Sequence, residues 1–241
     1  MDELINTIKI NLERVAERIN TAAISVGRDP KTVRLVVVTK GHSIGTVRAA
    51  IEAGARTLGE NYVEEALEKM APLETSIGVE WHMIGHIQSR KARIVCQRFD
   101  YVHSVDSEKL AGRLDRFCAE NGSRLPVLLE CNVSGESSKF GFSAWNEVQW
   151  QAVCEQVERI AGLKHLDLRG LMTMAPYFDD PQQARPYFQR LVCLRDYLSR
   201  NLPQVRLSEL SMGMSGDFEA AVQEGATIVR IGTAILGARP T

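Results

Sequence analysis

The sequence has almost no net charge. Its 241 residues carry 29 Lys and Arg against 30 Asp and Glu, a formal charge of −1. That balance removes the electrostatic reason to expect nucleic acid or an anionic membrane surface as a partner. Paired cysteines are missing as well. The five, at positions 96, 118, 131, 154 and 193, are scattered and form no Cys-x-x-Cys pair. They read as reduced thiols of a cytoplasmic protein. No His/Cys/Asp cluster has metal-ligand spacing, and no Gly-x-Ser-x-Gly signature occurs. No apolar run is long enough to span a membrane. The start, Met1-Asp-Glu-Leu-Ile-Asn, is acidic and then amphipathic, unlike an export leader. No Pro/Gly/Ser-rich linker interrupts residues 1–241, so a single domain is expected.

What is present is an ordinary globular composition, 44% hydrophobic and 24% charged. Within it, Arg34-Leu-Val-Val-Val-Thr-Lys40 stands out. A continuous apolar run of this length reads as a strand buried on both faces, as in a parallel sheet. Lys40 then sits at the carboxyl end of that strand. Desolvation there lowers an amine's pKa, and a neutral amine can attack a carbonyl to form a Schiff base. Taken alone, the same residue also reads as a strand-terminal lysine reaching for water.

Upstream, Leu4, Ile8, Leu12, Val15, Ile19 and Ala22 recur at helical spacing, and Gly27 ends that helix. It can cap one end of a barrel or lie along its side. Downstream, strands are expected near 34–39, 56–59, 80–84, 101–104, 126–133, 167–173, 207–211 and 227–231. Helices are expected near 44–53, 61–70, 88–97, 107–120, 144–161, 181–200 and 215–224, with a short tail after the last strand. Strict alternation of this kind means parallel strands with crossover helices. Eight such units match a (β/α)8 barrel with an extra amino-terminal helix, against the alternative of an open doubly wound sheet.

In such a barrel the site lies at the carboxyl ends of the strands. Two glycine-bearing segments fall where this fold usually holds phosphate: Ser211-Met-Gly-Met-Ser215-Gly216-Asp217 after strand seven and Arg230-Ile-Gly232-Thr233 after strand eight. Ser215 and Thr233 can add hydroxyl donors, although Ser215 also reads as a helix N-cap. A phosphate site facing a desolvated lysine suggests a phosphorylated carbonyl, and pyridoxal 5′-phosphate (PLP) fits, with Lys40 as its Schiff-base amine. Arg230 would lie on the floor between them, or pair with a carboxylate. Asn61 could meet the ring hydroxyl or cap a helix. His82 could stack near the ring or be satisfied structurally. Glu60 reads as a structural partner.

These segments resemble a known family. Gly59-Glu-Asn-Tyr-Val63, Trp81-His-Met-Ile-Gly85, Gln88-Ser89 with Lys91, Gly170-Leu-Met172 with Met174-Ala-Pro176, Ser211-Met-Gly-Met-Ser215 with Asp217, and Arg230-Ile-Gly-Thr-Ala-Ile-Leu-Gly237 look like the PLP homeostasis proteins. The resemblance implies a barrel like the amino-terminal domain of alanine racemase. It implies Lys40 as the Schiff-base lysine, phosphate contacts from Ser215, Gly232 and Thr233, and Arg230 facing the pyridine nitrogen. It further implies a carrier or regulator of PLP supply that serves PLP-dependent apo-enzymes, expected here as a monomer. The sequence departs from the family after the lysine, with Gly41-His42-Ser43 in place of a Lys-Pro pair, and at Arg90. The competing readings are a PLP-dependent racemase or lyase, expected to be a poor one, and a barrel enzyme using Lys40 without a cofactor.

Overall fold

A computed structural model describes residues 1–73 and 78–239. The strands are β1 (Arg34–Val38), β2 (Thr57–Glu60), β3 (Glu80–Met83), β4 (Tyr101–Val105), β5 (Leu125–Asn132), β6 (Phe142–Ser143), β7 (Leu166–Met172), β8 (Glu209–Ser211) and β9 (Ile228–Ile231). The helices are α1 (Asp2–Ile24), α2 (Ile44–Glu52), α3 (Val63–Met70), α4 (Ala92–Arg98), α5 (Glu108–Asn121), α6 (Trp150–Ala161), α7 (Arg185–Asn201), α8 (Phe218–Gln223) and α9 (Thr233–Leu236). Every strand pairing is parallel. The order β4-β3-β2-β1-β9-β8-β7-β5 closes on itself through the β4–β5 pairing. The eight-strand parallel barrel expected from the alternation is what forms.

Period-2 alternation divides the strand residues between two cores. Val36, Tyr101, Leu128, Met172 and Ile228 fill the barrel interior. The larger cluster, with Val37, Leu58, Val102, Leu129, Leu171, Val229 and Ile231, faces the helices. Gly170 permits the closest approach in the wall: a Cβ there would stand 1.8 Å from the Glu209 carbonyl oxygen of β8.

Several boundaries differ from expectation; α4 and α7 each begin four residues late, after 3-10 turns at Ser89–Lys91 and Pro181–Ala184. A two-residue strand, β6, pairs on β5 outside the barrel ring. It follows Gly141, where a Cβ would meet the Glu130 carbonyl oxygen at 2.5 Å. α6 starts at Trp150 and not near 144, because Asn146 and Gln149 form a capping box that opens a 3-10 turn first. α8 starts at Phe218 and not at 215. Ser215 is therefore no N-cap; the Asp217 carboxylate closes the preceding turn by accepting from Met214 N–H at 2.6 Å.

α1 lies along the barrel's side. It packs on α2, α8 and α9, where Asn11 donates to the Ile235 carbonyl at 3.0 Å and Arg18 forks onto both Glu219 oxygens at 2.9 and 2.8 Å. α9 has only four residues, so α1 supplies the cover that a full eighth helix would give.

Candidate functional site

Lys40 follows β1 directly, and the chain on either side of it is tied down. Lys69 of α3 donates to the Thr39 carbonyl at 2.7 Å, to Glu60 Oε1 at 2.7 Å and to Glu65 Oε1 at 2.6 Å. Glu60 Oε1 also accepts from the Thr39 hydroxyl at 2.6 Å, and Glu65 Oε1 accepts from Gly41 N–H at 2.5 Å. Lys69 and Glu60 are both buried. Glu60 thus has the structural role read from the sequence. At Gly41 the backbone turns left-handed, φ +73°, and a Cβ would collide with Arg239 Cδ at 2.8 Å. The Lys40 amine is half-buried, and its pKa is lowered by that burial first, then by the charges of Arg239 and Arg230.

The cavity above Lys40 holds about 420 Å³ and includes Asn61, Ser215, Arg230, Gly232 and Thr233 in its lining. Arg230 is fully enclosed. It donates to Ser211 Oγ at 2.5 Å and to the Thr173 carbonyl at 2.9 Å. These neutral acceptors, not a carboxylate, orient it. Burial lowers its pKa to about 10, opposed by Glu130 and Asp217, so it remains a cation and a donor. The loops after β8 and β9 meet across Ser215 Oγ, which accepts from Ala234 N–H at 3.4 Å. Gly232 closes that side: a Cβ there would approach the Val38 carbonyl oxygen at 3.0 Å, beside Lys40. Asn61 caps no helix. Its side chain lines the cavity, and its buried Oδ1 has no hydrogen-bond partner among the described residues. An orphaned amide there is poised for a ligand's polar group.

His82 lies elsewhere. It sits in the barrel interior one layer below the strand ends, paired in register with Gly59 and Tyr101, and it lines a separate cavity at the amino end. Its Nδ1 is 2.9 Å from His103 Nε2. A role beside a ligand in the Lys40 cavity is therefore corrected to a role within the barrel. The sequence reading also missed parts of the wall. Met174, Pro176, Tyr177 and Phe178 come from the loop after β7, and Arg239 comes from beyond α9. Only the packed structure brings these segments over the strand ends.

Residues 10–240 match the family model described as alanine racemase, N-terminal domain. The chain is 42% identical to the pyridoxal phosphate homeostasis protein of Vibrio cholerae over 193 residues, 79% of this chain and 78% of the relative. The chain belongs to the pyridoxal phosphate homeostasis protein family. The family member of Aquifex aeolicus is 41% identical over 186 residues, 77% of this chain and 78% of its own length. Among solved structures, PipY of Synechococcus elongatus PCC7942 with PLP bound superposes with a TM-score of 0.79 at 36% identity, covering 92% of this chain and 100% of PipY. An alanine racemase of Clostridium difficile 630, at 15% identity, shares the fold with a TM-score of 0.69 over 98% of this chain and 58% of that one.

Proposed function

We propose that this chain binds PLP through a Schiff base to Lys40 and holds the cofactor for intracellular supply, a reading in keeping with relatives named pyridoxal phosphate homeostasis proteins. The observation that carries the reading is one cavity gathering a desolvated lysine, two glycine-bearing loops with hydroxyls at Ser215 and Thr233, and an oriented arginine at the floor. The residues fit the group: a phosphate dianion needs the donors those loops offer, and a ring hydroxyl needs the Asn61 amide that protein groups leave unused. PLP, when bound, supplies an aldehyde carbon and an electron-withdrawing ring. The chain's own contribution is to pin the backbone on either side of Lys40, lower the pKa of its amine by burial and keep Arg230 charged at the cavity floor.

The same reading has the protein work in the cytoplasm as a monomer and pass PLP to apo-enzymes. The free cysteines at 96, 118, 131, 154 and 193 accord with a reducing compartment. No helix among the described residues is long and apolar enough to cross a membrane.

The test is spectroscopic. Purified protein mixed with PLP should develop a visible Schiff-base absorption band that Lys40→Ala lacks. A colourless protein would favour a cofactor-free barrel enzyme, and an unchanged band in Lys40→Ala would move the attachment to another lysine.

A further inference from the structure

A second cavity, of about 550 Å³, opens at the amino end of the barrel, opposite the Lys40 site. It is joined to the floor of that site by an interior chain of hydrogen bonds. Arg230 bonds Ser211 Oγ, Ser211 Oγ lies 2.9 Å from His103 Nδ1, and His103 Nε2 lies 2.9 Å from His82 Nδ1. The direction of the chain follows from its first two members. Arginine only donates, so Ser211 accepts there, and His103 Nδ1 is the one remaining acceptor within reach of the serine proton among the described residues, so Ser211 donates to it. His103 then donates from Nε2 to His82 Nδ1, which leaves the His82 proton on Nε2. Both imidazoles are wholly buried and held neutral by that burial.

His82 Nε2–H is thus a buried donor, without a hydrogen-bond partner among the described residues, on a side chain that lines the amino-end cavity. An unpaired buried donor is costly unless something accepts from it. Around it, the ring of Tyr101 stacks on His82 at 4.9 Å, and the guanidinium carbons of Arg34 and Arg169 each stand 5.8 Å from the Tyr101 centroid. Much of the nearby acid is already engaged. Asp100 Oδ2 accepts from Trp81 N–H at 2.7 Å, and Glu209 Oε2 accepts from the Tyr101 hydroxyl at 2.9 Å. Arg34 and Arg169 reach the same Glu209 Oε1 only at 3.6 and 3.9 Å, beyond hydrogen-bond distance, and Arg169 keeps N–H groups beyond the Nε bond it gives Asp167. Glu80 is the internal competitor, 3.6 Å from His82 Nε2, but its side chain is 59% exposed.

We propose that the amino-end cavity binds a small oxyanion, a carboxylate or a phosphate, received by His82 Nε2–H and by the guanidinium groups of Arg34 and Arg169. The site is independent of the PLP reading, because none of these three residues lines the Lys40 cavity.

The experiment follows the His82 imidazole signals by proton–nitrogen NMR in the full chain, loaded with PLP. Sodium phosphate and sodium acetate are titrated separately at constant ionic strength. A saturable His82 shift is expected, and the double variant Arg34→Gln, Arg169→Gln should weaken the binding at least about ten-fold. A response to phosphate alone identifies a phosphate-type ligand; a response to acetate alone identifies a carboxylate. Glu80→Gln should tighten binding by removing the internal competitor. Two results overturn the proposal: a His82 signal unmoved by either anion in both wild type and Glu80→Gln, or an affinity unchanged in the double-arginine variant. Both arginines are partly exposed, so the outcome does not depend on a core substitution folding.

Discussion

At the scale of single residues, the useful signal was position along a strand. Lys40, Asn61, Ser215, Gly232 and Thr233 all lie within four residues past a strand end, and the fold collects them around one cavity. His82 shows where that signal fails. Alternation says that it points into the barrel, but height along the barrel axis depends on register between strands, and no single strand's sequence carries that. The phosphate cradle yields a direct prediction. Ser215→Ala with Thr233→Ala removes two hydroxyl donors to a dianion, each contributing about 1.5–3 kcal/mol. PLP affinity, followed by equilibrium titration, should fall more than ten-fold; an unchanged value would mean that backbone amides suffice. The buried histidines predict a pH dependence. Burial lowers His82 to about 3 and His103 well below its ordinary 6.5. Below pH 6.5 the unfolded chain takes up protons that the fold refuses, so stability is lost as pH falls from about 6.5 towards 3. Glu130 opposes this. Burial raises its pKa to about 7, so its contribution is present at low pH and declines as pH rises through that value. Urea unfolding between pH 7 and 5 should show a slope about one proton smaller in His82→Gln than in wild type. Equal slopes would mean that His82 titrates normally in the fold.

At the scale of elements, β/α alternation placed each barrel strand and the helices between them. Their first turns were less legible, because capping residues such as Asn146 and Asp217 insert tight turns before the helix proper. The cover given by α1 was also only half legible. Its amphipathic face is plain in the sequence, but which neighbours it meets depends on the shortness of α9, at the other end of the chain. The contact between β1, β2 and α3 carries its own prediction. Lys69 neutralises Glu60 in a buried pair and holds the Thr39 carbonyl next to Lys40. Lys69→Met leaves an unpaired carboxylate in the core and should cost about 3–5 kcal/mol in chemical denaturation. Lys69→Met combined with Glu60→Leu should recover much of that loss, since the uncompensated charge is then gone. No recovery would indicate that the Lys69 bonds to the Thr39 carbonyl and Glu65 matter more than the charge.

At the scale of the whole molecule, the parallel barrel gathers the Lys40 cavity at the carboxyl ends of its strands, while its interior mixes apolar side chains such as Val36 and Leu128 with the buried polar chain of Arg230, Ser211, His103 and His82. The valine run of β1 announced the apolar part, and the polar chain emerges only from strand register. The likeness to alanine racemase extends to the fold, and turnover is a separate matter. Racemisation needs an acid–base group on each face of the substrate carbon, each contributing roughly 10²–10⁴-fold. Lys40 can serve one face; of the other titratable groups lining this cavity, Asp217 is engaged by Met214 N–H, His42 and Tyr177 come from different loops, and Arg230, always protonated, accepts nothing. With L- and D-alanine in deuterated water, Cα exchange should stay far below an enzyme-like ~1 s⁻¹; exchange at that rate, lost in Lys40→Ala, would make the protein a racemase. The most direct test of the central claim is chemical trapping. Borohydride reduction of the PLP-loaded protein, followed by peptide mass spectrometry, should place the pyridoxyl group on the peptide containing Lys40. A reduced adduct on any other lysine, with Lys40 unmodified, would contradict the account.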